Sequence, residues 1–213
     1  MTKLRKQLSL YLVTDTRLCA NLGVVETVRR AVSGGVTMVQ LRDKTATTAQ
    51  RIELAIAIGQ VLNGTDVPLV INDDVVAAVA ADTDGAHIGQ ADISPAEARV
   101  LLGPEKILGL SCETPQTVQA ADPAIVDYLG LGPVFGTTTK SDHKPPIGFD
   151  GLAQLVALSP LANVAIGGLK PTHLNRVLAS GADGMAVVSA ICGKADPYVA
   201  ARAFTTARTE RRT

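Results

Sequence analysis

With 213 residues and a mass of 22.1 kDa, the chain has the size of one domain with a substantial core, and we predict a single domain over residues 1–213. Lys plus Arg and Asp plus Glu are equal at 20 each, which argues against a nucleic-acid or membrane-surface protein. No apolar run approaches the roughly 18–20 residues that span a bilayer. The three cysteines form no C-x-x-C pair, so we expect reduced thiols in a cytoplasmic protein.

Eight short apolar segments, taken in chain order, are the predicted β-strands. They are rich in β-branched residues and Leu and lack polar alternation, which is typical of parallel strands covered on both faces. Aromatic residues make up only 3% of the chain, so this core is aliphatic. The predicted strands are Leu8–Val13, Met38–Leu41, Leu69–Ile71, Ala86–Ile88, Ile107–Leu110, Tyr128–Leu131, Val164–Ile166 and Met185–Val188.

Helical segments separate the strands and carry recognisable start and stop signals. Ser94 and Glu97 form a capping-box pattern around Pro95. Thr114-Pro115 and Lys170-Pro171 open two further helices, and the other predicted helices are Val24–Ser33, Thr47–Leu62 and Thr172–Ser180. About eight β–α units predict a (β/α)8 TIM barrel of class α/β. The alternative is an open doubly wound sheet, but Thr14–Arg17 is not the Gly-rich loop that usually follows its first strand.

Polar residues cluster where the predicted strands end, which is where TIM barrels hold their chemistry. After strand 2, alternation points Gln40, Arg42 and Lys44 to one side, and two cations with an amide there indicate an anionic ligand. The alternative is an ordinary solvated loop.

Asp73 and Asp92 follow the neighbouring strands 3 and 4, and two carboxylates that converge there could hold Mg²⁺ together with phosphate oxygens and water. Helix capping or turn formation is the alternative for each. Ser111 ends strand 5 and could bond a ligand, although a lone Ser is weak evidence. His87 has no nucleophile motif near it, and we expect a satisfied residue inside the barrel.

Two later segments indicate phosphate binding. Thr137, Thr138, Thr139 and Lys140 follow strand 6 in a long segment rich in Gly and Pro, which is either a lid that supplies donors to phosphate or a surface loop. Loops 7 and 8 form the phosphate cradle of many TIM barrels, and here they begin with Gly167-Gly168 and Val188-Ser189. A simple turn is the alternative for the two glycines.

Taken in order, six segments make the chain resemble the thiamine phosphate synthase family from about Leu10 to Ala201. Gly136 stands where that family usually has Pro, which affects the stiffness of loop 6. The matching segments are Gln40–Lys44, Asn72-Asp73, Gly85–Asp92, Gly132–Lys140, Ile166–Gly168 and Val188-Ser189.

The resemblance implies two small-molecule substrates, an aminopyrimidine diphosphate and a thiazole phosphate, which are joined with release of pyrophosphate. It implies that Asp73 and Asp92 bind Mg²⁺, and that Arg42, Lys44, Ser111 and Lys140 are catalytic and contact the diphosphate together with Gln40 and Asn72. It assigns the thiazole phosphate to Thr137, Thr138, Thr139, Gly168, Val188 and Ser189. A thiazole tautomerase-like isomerase and a non-catalytic phosphate-binding barrel are the alternatives, and assembly into a homo-oligomer is left open.

Overall fold

A closed barrel of eight parallel strands forms the centre of the computed structural model, which describes residues 2–136 and 145–209. Each strand pairs with the next in the chain, and the first pairs with the last. The predicted TIM barrel is confirmed. Its strands are β1 (Leu10–Val13), β2 (Met38–Leu41), β3 (Leu69–Asn72), β4 (Gly85–Ile88), β5 (Ile107–Cys112), β6 (Tyr128–Leu131), β7 (Ala162–Ala165) and β8 (Gly184–Val187).

Helices surround the barrel, and their ends follow the capping signals of the sequence. The Ser94 hydroxyl accepts from the Glu97 N–H, while the Glu97 side chain accepts from the Ser94 N–H, as predicted. No helix in the described residues is long and apolar enough to cross a membrane. The helices are α1 (Lys3–Gln7), α2 (Val24–Ser33), α3 (Thr48–Leu62), α4 (Val75–Ala80), α5 (Pro95–Leu102), α6 (Pro115–Gln119), α7 (Gly148–Leu158), α8 (Leu174–Ala179) and α9 (Pro197–Thr209).

The first strand begins two residues later than predicted because a short helix precedes it. Arg5 Nη1 donates to both carboxylate oxygens of Asp183, at 3.0 and 2.8 Å, and this ion pair anchors α1 beside the start of β8. Leu8 caps α1 and is fully buried against the residues inside the barrel. The lower end of the barrel is therefore covered, and its upper end remains for ligands.

Two later boundaries also differ from the prediction. Strand β7 ends before Gly167, whose φ of 92° turns the chain out of the sheet. The predicted helix Thr172–Ser180 is divided into a 3-10 turn over Pro171–His173 and α8. The backbone N–H of Lys170 donates to His173 Nδ1 at 3.2 Å, which tightens this first turn.

The core consists of two layers separated by the sheet. The larger layer packs the outer faces of the strands against the helices and is aliphatic, as the composition predicts. The layer inside the barrel is small and contains two of the three tyrosines, Tyr11 and Tyr128, together with Met38, Val70 and Val164. Bulky rings thus occupy the barrel axis, and their hydroxyls need partners there.

A glycine in β5 makes room for these rings. Gly109 pairs with His87 on one side and with Tyr128 on the other. A Cβ at position 109 would lie 2.2 Å from Tyr128 Cζ and 2.4 Å from His87 Nδ1. Any larger residue would therefore push the two rings apart.

We predict that Gly109→Ala lowers the free energy of unfolding by about 1–3 kcal/mol, since the added methyl overpacks a closed barrel interior. Gly59→Ala is the matched control. Gly59 lies in α3, and a Cβ there meets nothing within 4 Å, so this variant should gain about 0.5–1 kcal/mol. Urea denaturation measures both, and equal stabilities would contradict the packing described for Gly109.

Candidate active site

A cavity opens at the carboxyl ends of the strands, and all eight strand ends contribute to its wall. Its lining is apolar over β7 and β8 and polar over β2 to β5, so the two sides differ in chemistry. The lining residues are Tyr11, Val13, Gln40, Arg42, Asn72, His87, Ser111, Glu113, Pro133, Val164, Ile166, Gly167, Gly168, Leu169, Ala186, Val187, Val188 and Ser189.

Arg42 places a positive charge in this wall. The residue is only 6% exposed, and its Nη1 lies 3.9 Å from Asp15 Oδ2. Its Nη2 is buried and has no hydrogen-bond partner among the described residues. A buried guanidinium nitrogen without a partner is costly, and the positive charge of Arg42 in the cavity wall favours an anionic ligand.

The segment around Arg42 is held from outside the cavity. Arg51 donates through Nε and Nη2 to the carbonyl oxygen of Asp43, at 3.1 and 2.9 Å. Partial burial opposes ionisation of Asp43, but hydrogen bonds from Thr16, Thr45 and Ala46 lower the pKa of its carboxyl. These bonds fix the loop, so that Gln40 and Arg42 point inward as alternation predicts, while Lys44 lies exposed in the loop.

The two adjacent aspartates after β3 have different environments. Asp74 is the cap of α4: its Oδ1 accepts from the Ala77 N–H, and its Oδ2 accepts from Arg51 at 2.9 Å. Asp73 has a φ of 64°, a left-handed conformation that is uncommon outside glycine, and its N–H donates to the carbonyl of His87. Asp74 is thus the residue that caps α4, while Asp73 lies exposed at the end of β3.

Asp92 belongs to the turn after β4. Its Oδ2 accepts from the Gly89 N–H at 2.7 Å, while the cap of α5 is Ser94. One carboxylate oxygen of Asp92 therefore stabilises the turn, which is the turn-forming role that the sequence analysis gave as the alternative to metal binding. Among residues 2–136 and 145–209, no group of three or more His, Cys, Asp or Glu could hold a metal ion. A cation bound by Asp73 and Asp92 would take its remaining ligands from substrate and water.

A chain of buried hydrogen bonds forms the polar floor of the cavity. Gln40 Nε2 donates to the Tyr11 hydroxyl at 2.7 Å, and the Tyr11 and Tyr128 hydroxyls lie 2.8 Å apart. His87 contacts Tyr128 through Nδ1 and Ser111 through Nε2, each at 2.9 Å. The expectation that His87 is a satisfied interior residue is confirmed. Burial raises the pKa of both tyrosines, so they stay protonated.

The opposite wall is shaped by the double glycine after β7. Gly167 and Gly168 have φ angles of 92° and 62°. A Cβ on Gly168 would lie 2.7 Å from the carbonyl oxygen of Gly136 and 2.8 Å from Phe135 Cβ. Glycine is therefore required here by both conformation and space. The positive φ angles are those of a turn, which the sequence analysis gave as the alternative for these two glycines. The close packing places Gly168 against Phe135 and Gly136, which follow β6.

Seven of the predicted site residues line one cavity: Gln40, Arg42, Asn72, Ser111, Gly168, Val188 and Ser189. Lys44, Asp73 and Asp92 lie in exposed positions of the loops after β2, β3 and β4. Thr137, Thr138, Thr139 and Lys140 fall outside the described residues.

Comparison with known proteins identifies the family of this chain. A family model described as thiamine monophosphate synthase matches residues 10–191. The chain belongs to this family. It is 50% identical to a thiamine-phosphate synthase of Psychrobacter sp. (strain PRwf-1), with 91% of this chain and 92% of that protein covered. A thiamine-phosphate synthase of Xanthobacter autotrophicus is also 50% identical, with 92% and 93% covered.

Family membership extends to the three-dimensional structure. A thiamine phosphate pyrophosphorylase from Pyrococcus furiosus superposes with a TM-score of 0.88 at 34% identity, and 97% of this chain and 98% of that one are covered. The barrel fold is thus shared with a solved thiamine phosphate pyrophosphorylase.

Sequence reasoning missed Tyr11, Tyr128 and Glu113. Tyr11 and Glu113 line the cavity, and Tyr128 belongs to the hydrogen-bonded floor beneath it. A signal for the tyrosines was present, because phenol groups inside otherwise apolar strands need hydrogen-bond partners. Glu113 lies two residues beyond Ser111, where the chain leaves the barrel, and no strand pattern marks it.

We predict that Arg42→Met weakens binding of inorganic pyrophosphate at least about tenfold, since a hydrogen bond to a charged group contributes about 1.5–3 kcal/mol. The ligand-free variant should be at least as stable as the unsubstituted protein, because a buried cation without a full set of partners is removed. Calorimetric titration measures the affinity.

The control is Arg202→Met on the exposed side of α9, which should change neither quantity. Unchanged pyrophosphate affinity in Arg42→Met would contradict an anion site at this guanidinium.

Proposed function

We propose that the chain joins 4-amino-2-methyl-5-hydroxymethylpyrimidine diphosphate to a thiazole phosphate, giving thiamine phosphate and releasing pyrophosphate. Membership of the thiamine monophosphate synthase family supports the reaction class. The observation that carries the proposal is the largely buried Arg42 side chain, which lines one side of a cavity whose other side is formed by Gly167 and Gly168. A cationic side and a glycine side suit two phosphorylated substrates.

In this proposal the aminopyrimidine diphosphate occupies the polar side of the cavity. Gln40 already donates through Nε2 to Tyr11, so its amide oxygen is left to accept from the amino group of the pyrimidine. Asn72 ends β3 and lines the same cavity. Arg42, Lys44, Ser111 and Lys140 contact the diphosphate as catalytic residues.

Asp73 and Asp92 are proposed to hold Mg²⁺. Carboxylate oxygens at the ends of neighbouring strands are hard donors, and the hydrogen bond from the Asp73 N–H to the His87 carbonyl ties these two strand ends together. Asp92 uses Oδ2 in its turn, which leaves Oδ1 for a cation. When bound, Mg²⁺ would neutralise charge on the diphosphate and stabilise the leaving pyrophosphate.

Bond cleavage precedes bond formation in the proposed mechanism. The bond between the methylene carbon and the diphosphate oxygen breaks, and its electron pair leaves with pyrophosphate. The electron-rich aminopyrimidine stabilises the methylene cation, and the thiazole nitrogen then forms the new carbon–nitrogen bond. Arg42 and Ser111 act where negative charge grows, so their contribution is larger in the transition state than in the ground state. The neutral ring nitrogen needs no general base.

The thiazole phosphate is assigned to the glycine side. Gly168, Val188 and Ser189 lie at the ends of β7 and β8, and Ser189 carries an exposed hydroxyl that can donate to phosphate. Thr137, Thr138 and Thr139 would complete this site from the segment after β6. Holding the nucleophile against the cation supplies the remaining rate acceleration.

A cytoplasmic location without membrane or nucleic-acid partners is part of the same proposal. Both substrates are small phosphorylated molecules, and the chain has equal numbers of acidic and basic residues.

Mixing the purified chain with both substrates and Mg²⁺ should yield thiamine phosphate and pyrophosphate in equal amounts, and excess chelator should abolish turnover. Asp92→Asn keeps an oxygen for the Gly89 N–H but removes the charge, and should lower kcat/KM roughly a hundredfold. Liquid chromatography with mass detection measures both products.

Asp66→Asn, on the opposite face of the barrel, is the control and should retain full turnover. The reaction assignment fails if no thiamine phosphate forms, and the metal assignment fails if turnover persists in chelator.

Gly168→Val should raise the KM for thiazole phosphate on the order of tenfold, because the side chain would meet the Gly136 carbonyl and displace the phosphate, a loss of about 1–2 kcal/mol. The KM for the pyrimidine diphosphate should change far less. Steady-state kinetics with each substrate varied in turn measures the two constants.

Gly103→Val is matched for backbone strain, since Gly103 has a φ of 78° but a Cβ there meets nothing within 4 Å. It lies at the end of α5 and should leave both constants unchanged. A folded Gly168→Val variant with unchanged thiazole phosphate affinity would remove the cradle assignment.

A further inference from the structure

Five buried polar side chains form one continuous chain of hydrogen bonds under the cavity. It starts at Gln40 and ends at Ser111, with contacts of 2.7, 2.8, 2.9 and 2.9 Å through Tyr11, Tyr128 and His87. All five residues are at most 7% exposed. In such a chain a group that accepts from one neighbour can donate to the next, so the direction at one end influences the direction at the other.

The Gln40 end sets that direction. Its amide nitrogen donates to the Tyr11 oxygen, so the Tyr11 proton must go to a different acceptor. Tyr11 is 1% exposed, and the Tyr128 oxygen lies 2.8 Å away. Tyr128 in turn can donate only to a group that lacks a proton, and His87 Nδ1 lies within reach at 2.9 Å.

The same reasoning determines the tautomer of His87. If Nδ1 accepts from Tyr128, the neutral ring carries its proton on Nε2, and this proton points at Ser111 Oγ 2.9 Å away. Burial raises the pKa of both phenols, so each stays a donor throughout the neutral range. Ser111 Oγ then accepts from inside the barrel, and its own proton must find an acceptor elsewhere.

We propose that His87 and Tyr128 are positioning residues that turn the Ser111 hydroxyl into a donor aimed into the cavity, toward an anionic oxygen of a bound diphosphate. Ser111 lines the cavity, so an anion bound there could accept its proton. The inference rests on the proposed function for the identity of the diphosphate. The direction of the hydrogen-bond chain does not depend on it.

Glycines in two neighbouring strands make room for the His87 and Tyr128 rings inside the barrel. Gly109 lies between His87 and Tyr128 in the strand pairing, and its missing Cβ leaves the space that their hydrogen bond occupies. A Cβ on Gly130 would approach His87 Cε1 to 3.3 Å. The two glycines, which lie on adjacent strands, thus leave the space that the His87 ring occupies.

Long-range ¹⁵N–¹H NMR of the histidine rings tests the direction without any turnover. At a pH above neutrality we expect His87 to carry its proton on Nε2. His173 is an internal reference, because its Nδ1 accepts from the Lys170 N–H and must have the same tautomer. His143→Gln and His173→Gln variants assign the signals. Tyr128→Phe keeps the ring but removes the donor to Nδ1, and should abolish the fixed tautomer of His87.

Kinetics tests the consequence for Ser111. Tyr128→Phe should lower kcat about 10–100-fold, the usual loss when an orienting partner is removed, with little change in the KM for thiazole phosphate. His87→Gln, whose amide nitrogen can still donate to Ser111, should retain more activity than His87→Leu. Tyr198→Phe, whose residue is 43% exposed on α9, is the control and should behave like the unsubstituted protein.

A proton on Nδ1 of His87 would overturn the inference, since the whole chain would then run in the opposite direction and Ser111 would donate inward. A folded Tyr128→Phe variant with unchanged His87 tautomer and unchanged kcat would also overturn it. If the unsubstituted protein makes no thiamine phosphate, the proposed function fails, while the NMR result still decides the direction of the chain.

Discussion

The structure depends on one constraint, which is that every polar group placed inside a closed barrel must find a partner there. The upper layer of the barrel contains an amide, two phenols, an imidazole and a serine hydroxyl, and they satisfy one another in a single chain. An unsatisfied member would cost about 1–3 kcal/mol, a large share of the stability of a domain. Gly109 in β5 is required in this context, because a Cβ there would collide with both the His87 and the Tyr128 rings.

The guanidinium of Arg42 departs from this rule. Its loop is held by Arg51 and by the hydrogen bonds of Asp43, and its side chain is only 6% exposed. Asp15 lies 3.9 Å away and compensates only in part. Burying this cation lowers the free energy of unfolding of the ligand-free protein. An anion that binds in the cavity offsets this cost, so the same charge that lowers stability contributes to the affinity for the anion. Functional sites commonly show this exchange of stability for binding.

The fold was predictable from the sequence because eight apolar segments alternate with capped helices, and the first of them is not followed by the Gly-rich loop of a doubly wound sheet. Site residues next to strand ends, such as Gln40, Arg42 and Ser111, were predictable for the same reason. For Tyr11 and Tyr128 the sequence indicates only that buried phenols need partners, and it does not show which ones, because the two residues lie 117 positions apart in the chain. Helix α1 was also missed, because it has only five residues and is anchored by an ion pair between Arg5 and the distant Asp183.

The placement of two anions on opposite sides of one cavity is the central claim, and a crystal structure with Mg²⁺, pyrophosphate and the thiazole phosphate tests it most directly. The account predicts pyrophosphate hydrogen-bonded to the Arg42 guanidinium and to the Ser111 hydroxyl, Mg²⁺ held by Asp73 and Asp92, and the thiazole phosphate against Gly168 and Ser189. Pyrophosphate bound at the glycine side, with no anion at Arg42, would contradict it.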